Sequence, residues 1–416
     1  MNILFLHRNF PAQFRYLLNE LVKNKENNIV FITNNDSHTL AGVQKIQYKL
    51  KREIPDNCHK YLRFYEEAII HAQAAAEAAI QLRYSGFKPD IIYGHTWGQT
   101  LFMKDIFPDV PLLCYFEWFY NSSGADMGFD GEELSVDKLA KLRSKNAHLL
   151  IDLYTCDAGI CPTNFQKKQF PKEFLDKLKV IPDGVDTDLC KPDWNTVFTV
   201  KDKNLVFTPK DEVVTYATRG FESYRGFPEF MKAVEKLQKR RKNMHVIIAG
   251  EDRVCYGPKL ANTTYKKLML QKLDLDLDRI HFVGYLPFEK YVNLLQISSA
   301  HVYLTYPFVA SWSMLDAMSC ACPIVASATA PVLEFMENNK SGLLFDFYNI
   351  DEQVEKIEYA LNNREKMAAI RANARNVIVE NYSLKKVLPK HLEYIDSIIK
   401  NYKIHQIQDT KMTKIL

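Results

Sequence analysis

At 416 residues the chain is too long for one compact core and points to two domains. Its 47% hydrophobic and 25% charged residues are those of a soluble globular protein, and a formal charge of +4 gives no reason to invoke nucleic acid. No apolar run approaches the ~20 residues of a membrane helix, MNILFLHRNF is too short for a signal peptide, and the eight cysteines lack zinc or redox spacing, so reduced thiols in a cytosolic protein are expected.

In chain order, residues 2–7 form an apolar run that predicts a buried parallel strand. A loop through Arg8, Asn9, Phe10, Pro11 and Ala12 leads to a helix ending at Val22, then a strand at 28–32. Residues 61–82 predict a long helix, its AQAAAEAAI centre reflecting helix propensity. Strands follow at 89–95 and 110–115. The segment 117–133, EWFYNSSGADMGFDGEE, is aromatic, acidic and glycine-containing without a period; it is either a functional loop or a surface excursion packed by its own aromatics. A helix at 137–153 and strands at 158–161 and 179–181 continue the alternation, which argues for a parallel sheet with helices on both faces.

Residues 182–212 are turn-rich and polar, and the domain junction is placed there, at 191–212, between an N-terminal domain 1–190 and a C-terminal domain 213–385 with a helix and tail at 386–416. The second alternation has strands at 213–217, 245–249, 280–283, 301–304, 323–326 and 343–345, and a helix opened by Pro228. The last third is helical, with residues 403–416 expected to fray.

Open parallel sheets bind ligands beyond the carboxyl ends of their strands. The groups at those ends are the loop after Leu6, Gly94 and His95, Glu117, Arg219, Gly250 and Glu251, Gly284, and the turn 308–316. The stretch 305–334, TYPFVASWSMLDAMSCACPIVASATAPVLE, is the centre of this set. It puts a helix N-terminus, with unpaired amides suited to an anion, one turn before the carboxylate of Asp316. An ordinary helix–strand unit with Asp316 facing water is the plain alternative.

Several segments, taken in order, resemble the retaining glycosyltransferases of family four. They are VIPDGVD at 180–186 with Asp183 in place of the usual Asn, TYATRGFESYRGF at 215–227, the strand ending at Gly250, HFVG at 281–284, and DAM at 316–318 followed by PIV at 323–325. The N-terminal half resembles a subgroup of that family through HRNFPAQFR, YFEWFY with GADMGFD, and PTNFQKKQFP. The resemblance implies the GT-B fold: an α/β protein of two doubly wound Rossmann-like domains facing a cleft, with C-terminal helices returning to the N-terminal domain. It implies sugar transfer from a nucleotide diphosphate sugar to a glycan, lipid-linked or protein acceptor, with anomeric configuration kept and neither metal nor other cofactor.

On that resemblance, Arg219 and Arg225 stabilise charge developing on the diphosphate, Arg225 standing where the family has Lys. Donor binding falls to Gly250, Glu251, Gly284, Tyr285, Phe308, Val309, Ala310, Ser311, Trp312 and Ser313, and Asp316 takes the place of the Glu that holds ribose. Phe308 stands where the family offers its first Glu and is either a core filler or a stacking surface. Glu117 occupies the place of the N-domain His, with three readings open: a hydrogen bond to a sugar hydroxyl, help with an acceptor proton, or stabilisation of positive charge. Asn9, Phe10, Pro11, His95 and Asp126 are acceptor-side candidates. The basic runs Lys167-Lys168 and 239–242 read either as solvated helix ends or as a peripheral contact with the inner face of a membrane. A nucleotide-sugar epimerase of the same fold and a non-catalytic nucleotide-sugar-binding protein are the competing functions.

Overall fold

The computed structural model describes residues 1–122 and 124–413, with side chains followed through residue 404. Residues 414–416, at the end of the tail expected to fray, lie outside the described residues; before them the last helix runs Leu384–Thr413. The chain divides into two compact units, residues 1–184 with 384–416, and residues 185–383. The C-terminal helix thus counts with the first unit, and the stretch 191–212 counts with the second.

In the first unit β1 (Asn2–Leu6), β2 (Asn28–Thr33), β3 (Val43–Gln47), β4 (Ile91–His95), β5 (Leu112–Tyr115), β6 (Ala158–Cys161) and β7 (Leu178–Val180) pair in the order β3-β2-β1-β4-β5-β6-β7, all parallel. The order turns back on itself between β1 and β4, and a doubly wound sheet leaves a crevice at that point. The predicted strands are all present. β3 has no counterpart among them, because an edge strand of Val, Gln, Lys and Ile lacks the continuous apolar run that marks a central one. One face of the sheet packs Phe5, Phe14 and Leu17 against Val387, Ile395 and Ile399 of the last helix.

The helix predicted at 137–153 is two, Val136–Lys145 and Ala147–Thr155. The break is Asn146, which is buried. Its side chain accepts from the Tyr120 amide at 2.9 Å and donates to the Tyr120 carbonyl at 2.7 Å. One asparagine therefore interrupts a helix to pin the aromatic loop 117–133. Trp118 and Phe119 of that loop are buried, and the Lys145 ammonium lies 3.5 Å from the Tyr120 ring centroid.

In the second unit β8 (Phe198–Val200) and β9 (Leu205–Phe207) form an antiparallel hairpin inside the stretch read as a junction, turning at Asn204 with φ 52°. β10 (Val213–Gly220), β11 (His245–Glu251), β12 (Ile280–Gly284), β13 (Ala300–Tyr303), β14 (Ile324–Ser327) and β15 (Leu343–Phe345) pair in the order β12-β11-β10-β13-β14-β15, again all parallel. Here the order turns back between β10 and β13. All eight cysteines are free thiols, six of them buried. No helix among the described residues is long and apolar enough to cross a membrane.

Asp152 carries a consequence for stability. It is fully buried; Oδ2 accepts from Thr100 at 2.9 Å and Oδ1 has no partner. Burial pushes its carboxyl up to about 8. A folded-state value above the unfolded one means that the unfolded chain releases this proton first, so stability falls as pH rises from about 4 to about 8. Asp152→Asn is expected to flatten that part of the curve and to raise the melting temperature at pH 8 relative to pH 5. Parallel melts across pH check this, and an unchanged slope would refute the burial argument.

Candidate functional site

The second unit's candidate residues gather at the carboxyl edge of its sheet, where the strand order reverses. β10 ends in Arg219, which is exposed, and Gly220. A turn at Ser223–Arg225 then brings the Arg225 side chain back over the end of β13. There Nη1 donates to Thr305 Oγ1 at 2.8 Å and to the Val309 carbonyl at 3.1 Å, and the guanidinium lies 5.0 Å from the Tyr256 ring centroid. Only 6% of Arg225 is exposed, so its orientation is fixed before any ligand arrives. Such preorganisation lets a cation act on developing charge without reorganising.

Gly226 makes the turn feasible. Its φ is +64°, and a Cβ there would sit 2.5 Å from Leu304 Cβ. Gly226→Ala is expected to lose about 2–5 kcal/mol, combining left-handed strain with overpacking. A denaturant melt measures it; a loss under 1 kcal/mol would show that Leu304 moves aside freely.

Phe308 is a core residue. It is buried, with Tyr224 at 5.7 Å and Tyr256 at 5.6 Å between ring centroids, and Tyr224 in turn stacks on Tyr306 at 4.7 Å. Of the two readings left open for it, packing describes its surroundings. Ala310 is buried and Val309 contributes its carbonyl to Arg225. The helix Trp312–Ser319 is capped by the Ser311 hydroxyl, which accepts from the Ser313 amide at 3.4 Å and the Ser313 hydroxyl at 2.9 Å. The Ser311 amide donates to the Tyr303 hydroxyl at 2.7 Å. Two of the three amides expected to cradle an anion are thus bonded within the protein. Trp312 is partly buried against the apolar core beneath.

Asp316 is turned toward the protein as well. Its Oδ1 accepts from the Cys190 thiol at 3.7 Å, and burial raises its carboxyl to about 7. Gly250 has φ +139°, and a Cβ there would meet the Thr218 carbonyl oxygen at 2.3 Å, so glycine is required where β11 turns beside β10. Glu251 is exposed and paired with Arg253 at 2.9 Å. Gly284 has open space around it and Tyr285 is 78% exposed, so both stand at the rim.

In the first unit the reversal point lies between β1 and β4, and His95 ends β4. It is fully buried, and neither ring nitrogen has a hydrogen-bond partner. Its Nε2 is 3.6 Å from Glu117 Oε2, just outside hydrogen-bond range. Trp97 and Tyr115 flank the ring at 4.2 and 5.2 Å. Glu117 follows β5, and the Gln166 side chain donates to its carbonyl at 2.7 Å. The PTNFQ segment thus positions the Glu117 backbone.

The structure brings His95 and Glu117 together but not the rest of the acceptor-side set. Phe10 is buried against Phe31, with ring centroids 4.9 Å apart, and belongs to the core. Asn9 is exposed and Pro11 partly so. Asp126 is buried in the loop, where its charge opposes the burial that lowers Lys145 to about 8. Of the basic runs, Lys239, Arg240 and Arg241 pair with Glu235, Glu358 and Glu212.

Two site neighbours escaped the sequence reading. His7, just past β1, packs edge-on to His95 at 4.9 Å, its Nδ1 accepting from the Asn9 amide at 2.8 Å; burial and then the His95 charge hold it well below the usual imidazole range. Its signal was visible as a histidine closing an apolar strand. Glu222 is fully buried, and its Oε2 accepts from the Tyr256 and Gly257 amides at 2.9 and 2.7 Å, holding Tyr256 beside Arg225. A glutamate in a turn carries no comparable signal.

Two doubly wound parallel sheets, each with polar groups at the carboxyl edge of its reversal point, define the GT-B class of fold. Residues 25–190 match the glycosyl transferase family 4 group and residues 198–377 match the glycosyl transferases group 1; with that fold, the chain is a glycosyltransferase of the GT-B type. The subgroup read from the N-terminal motifs goes beyond these matches. Over 86 residues the chain is 35% identical to the poly(ribitol-phosphate) alpha-N-acetylglucosaminyltransferase of Staphylococcus aureus, a stretch covering 20% of this chain and 17% of that relative's length. Among solved structures, sucrose-phosphate synthase from Thermosynechococcus elongatus superposes with a TM-score of 0.72 at 14% identity, covering 96% of this chain and 100% of that one. HepE of Anabaena in complex with UDP-glucose gives 0.67 at 15% identity, covering 95% and 100%.

Proposed function

We propose that the protein transfers a sugar from a nucleotide diphosphate sugar to a glycan, lipid-linked or protein acceptor, with retention of anomeric configuration and without a metal cofactor. The observation that carries this reading is the buried, preoriented Arg225 at the reversal point of the second sheet. Cleavage of the bond between the anomeric carbon and the diphosphate oxygen leaves the electron pair on the diphosphate. A fixed guanidinium there stabilises that charge, and the exposed Arg219 at the end of β10 adds a second. Retention requires the acceptor oxygen to enter on the face the diphosphate leaves, so the departing phosphate oxygen is placed to take the acceptor's proton.

Gly250, Glu251, Gly284 and Tyr285 are assigned to the donor's rim. Asp316 requires a turn of its side chain away from Cys190 to reach a ribose. In the first unit Glu117 and His95 are assigned to the sugar and acceptor chemistry. The test is a thermal-shift panel of nucleotide sugars, with UDP-sugars first because the Anabaena neighbour holds UDP-glucose. A shift with one donor, followed by label transfer to an acceptor with the anomeric configuration kept, supports the proposal. No shift with any donor overturns it, and conversion of the donor without an acceptor identifies an epimerase instead.

A further inference from the structure

The second unit holds a cavity of about 330 Å³ lined by Trp194, Lys210, Ser298, Pro323, Arg364 and Arg371 among others. Ser298 precedes β13 and Pro323 precedes β14, so this space sits at the amino edge of the sheet, opposite the edge that carries Arg225 and Thr305. No acidic side chain lines it, while three cationic ones do. Arg364 and Arg371 are seven residues apart on the helix Arg364–Asn381, two turns along one face.

The donors of Arg364 reach the carbonyls of Pro209, Lys210 and Asp211 and the Ser299 hydroxyl at 2.9–3.2 Å. Those bonds satisfy the donors without offsetting the charge. Arg371 is in a poorer position. Its Nε is buried without a hydrogen-bond partner, and its guanidinium lies over the Trp194 ring at 4.9 Å. Burial and the like charge of Arg364 hold it below its usual value. A desolvated guanidinium with an unused donor, beside a second cation, is stabilised most by an anion that supplies both charge and acceptors.

We infer that this cavity is a binding site for a phosphate-bearing ligand, separate from the donor edge. The phosphate sits between Arg371, Arg364 and Lys210, the three cationic side chains that line the space. The volume, about that of ten water molecules at ~30 Å³ each, leaves room for a small organic part against Trp194, which is 56% exposed. The phosphate comes either from a free metabolite or from a lipid headgroup, and the experiment separates the two sources.

Glycerol 3-phosphate is titrated calorimetrically into the full chain, and in parallel the protein is cosedimented with vesicles containing phosphatidic acid. Arg371→Gln is expected to weaken the probe that binds by about tenfold or more, as loss of one charged hydrogen bond implies. Lys210→Ala, at an exposed position, is expected to weaken it by a smaller factor without altering the melt. Binding of glycerol 3-phosphate assigns a free ligand; vesicle binding alone, lost in Arg371→Gln, assigns a lipid phosphate. The inference is overturned if neither probe binds, or if both variants bind as the wild type does.

Discussion

Replacing Arg225 with alanine is expected to lower kcat/KM for sugar transfer by about 10²–10³, the loss seen when one preorganised charge-stabilising donor is removed from a transition state. The guanidinium is buried at 6% exposure and tied to Thr305 and Val309, so truncation has a structural side as well. Leaving the Val309 carbonyl and the Thr305 hydroxyl without their donor removes about 1–3 kcal/mol of stability. The two effects separate in measurement. A stability loss appears in the melt, and activity assayed well below the transition reports the chemistry alone. Arg225→Lys sharpens the test, because the family uses lysine here: the point charge returns while the fork to Thr305 and Val309 is lost. Partial recovery of kcat in Arg225→Lys with little recovery in Arg225→Met supports the charge role. Wild-type turnover in Arg225→Ala at a temperature where it is folded would remove the residue from the mechanism.

The features legible in the sequence are those with a periodic or compositional signature. Apolar runs such as 2–7 in the first unit and 213–217 in the second announced the two parallel sheets, and the order of short motifs from Val180 to Val325 announced the fold. Strand ends then pointed to Arg219, His95 and Glu117, since open parallel sheets bind at the carboxyl ends of their strands, while Arg225 came only from the family resemblance. What stayed hidden depends on side-chain direction. Asn146 looks like any helical asparagine until its two hydrogen bonds to Tyr120 are seen, and Phe10 shares a loop with Asn9 yet points into the core. Spacing put the Ser311 and Ser313 amides at a helix start without revealing that Tyr303 and the Ser311 side chain already use them.

The second large effect is expected at Glu117. Glu117→Gln should lower kcat by about 10²–10⁴, the range for a positioned group that acts on a proton or a developing charge. The carboxylate is about a quarter exposed, at 28%, and its backbone is held by Gln166, so the substitution keeps size and placement while removing the charge. Three roles predict different patterns. A carboxylate that only binds a sugar hydroxyl is replaced fairly well by an amide, leaving kcat near normal and raising KM. A group that takes a proton or faces a positive anomeric carbon is not, and Gln should then be as poor as Ala. The surroundings favour the second pattern: the buried His95 ring, flanked by Trp97 and Tyr115, lies 3.6 Å from the carboxylate, and charge acts more strongly beside such low-dielectric groups. Steady-state kinetics of Glu117→Gln and Glu117→Ala with the donor found by thermal shift decide between them. If Gln retains wild-type kcat and only KM rises, Glu117 is a sugar-binding residue and the charge role belongs elsewhere in the first unit.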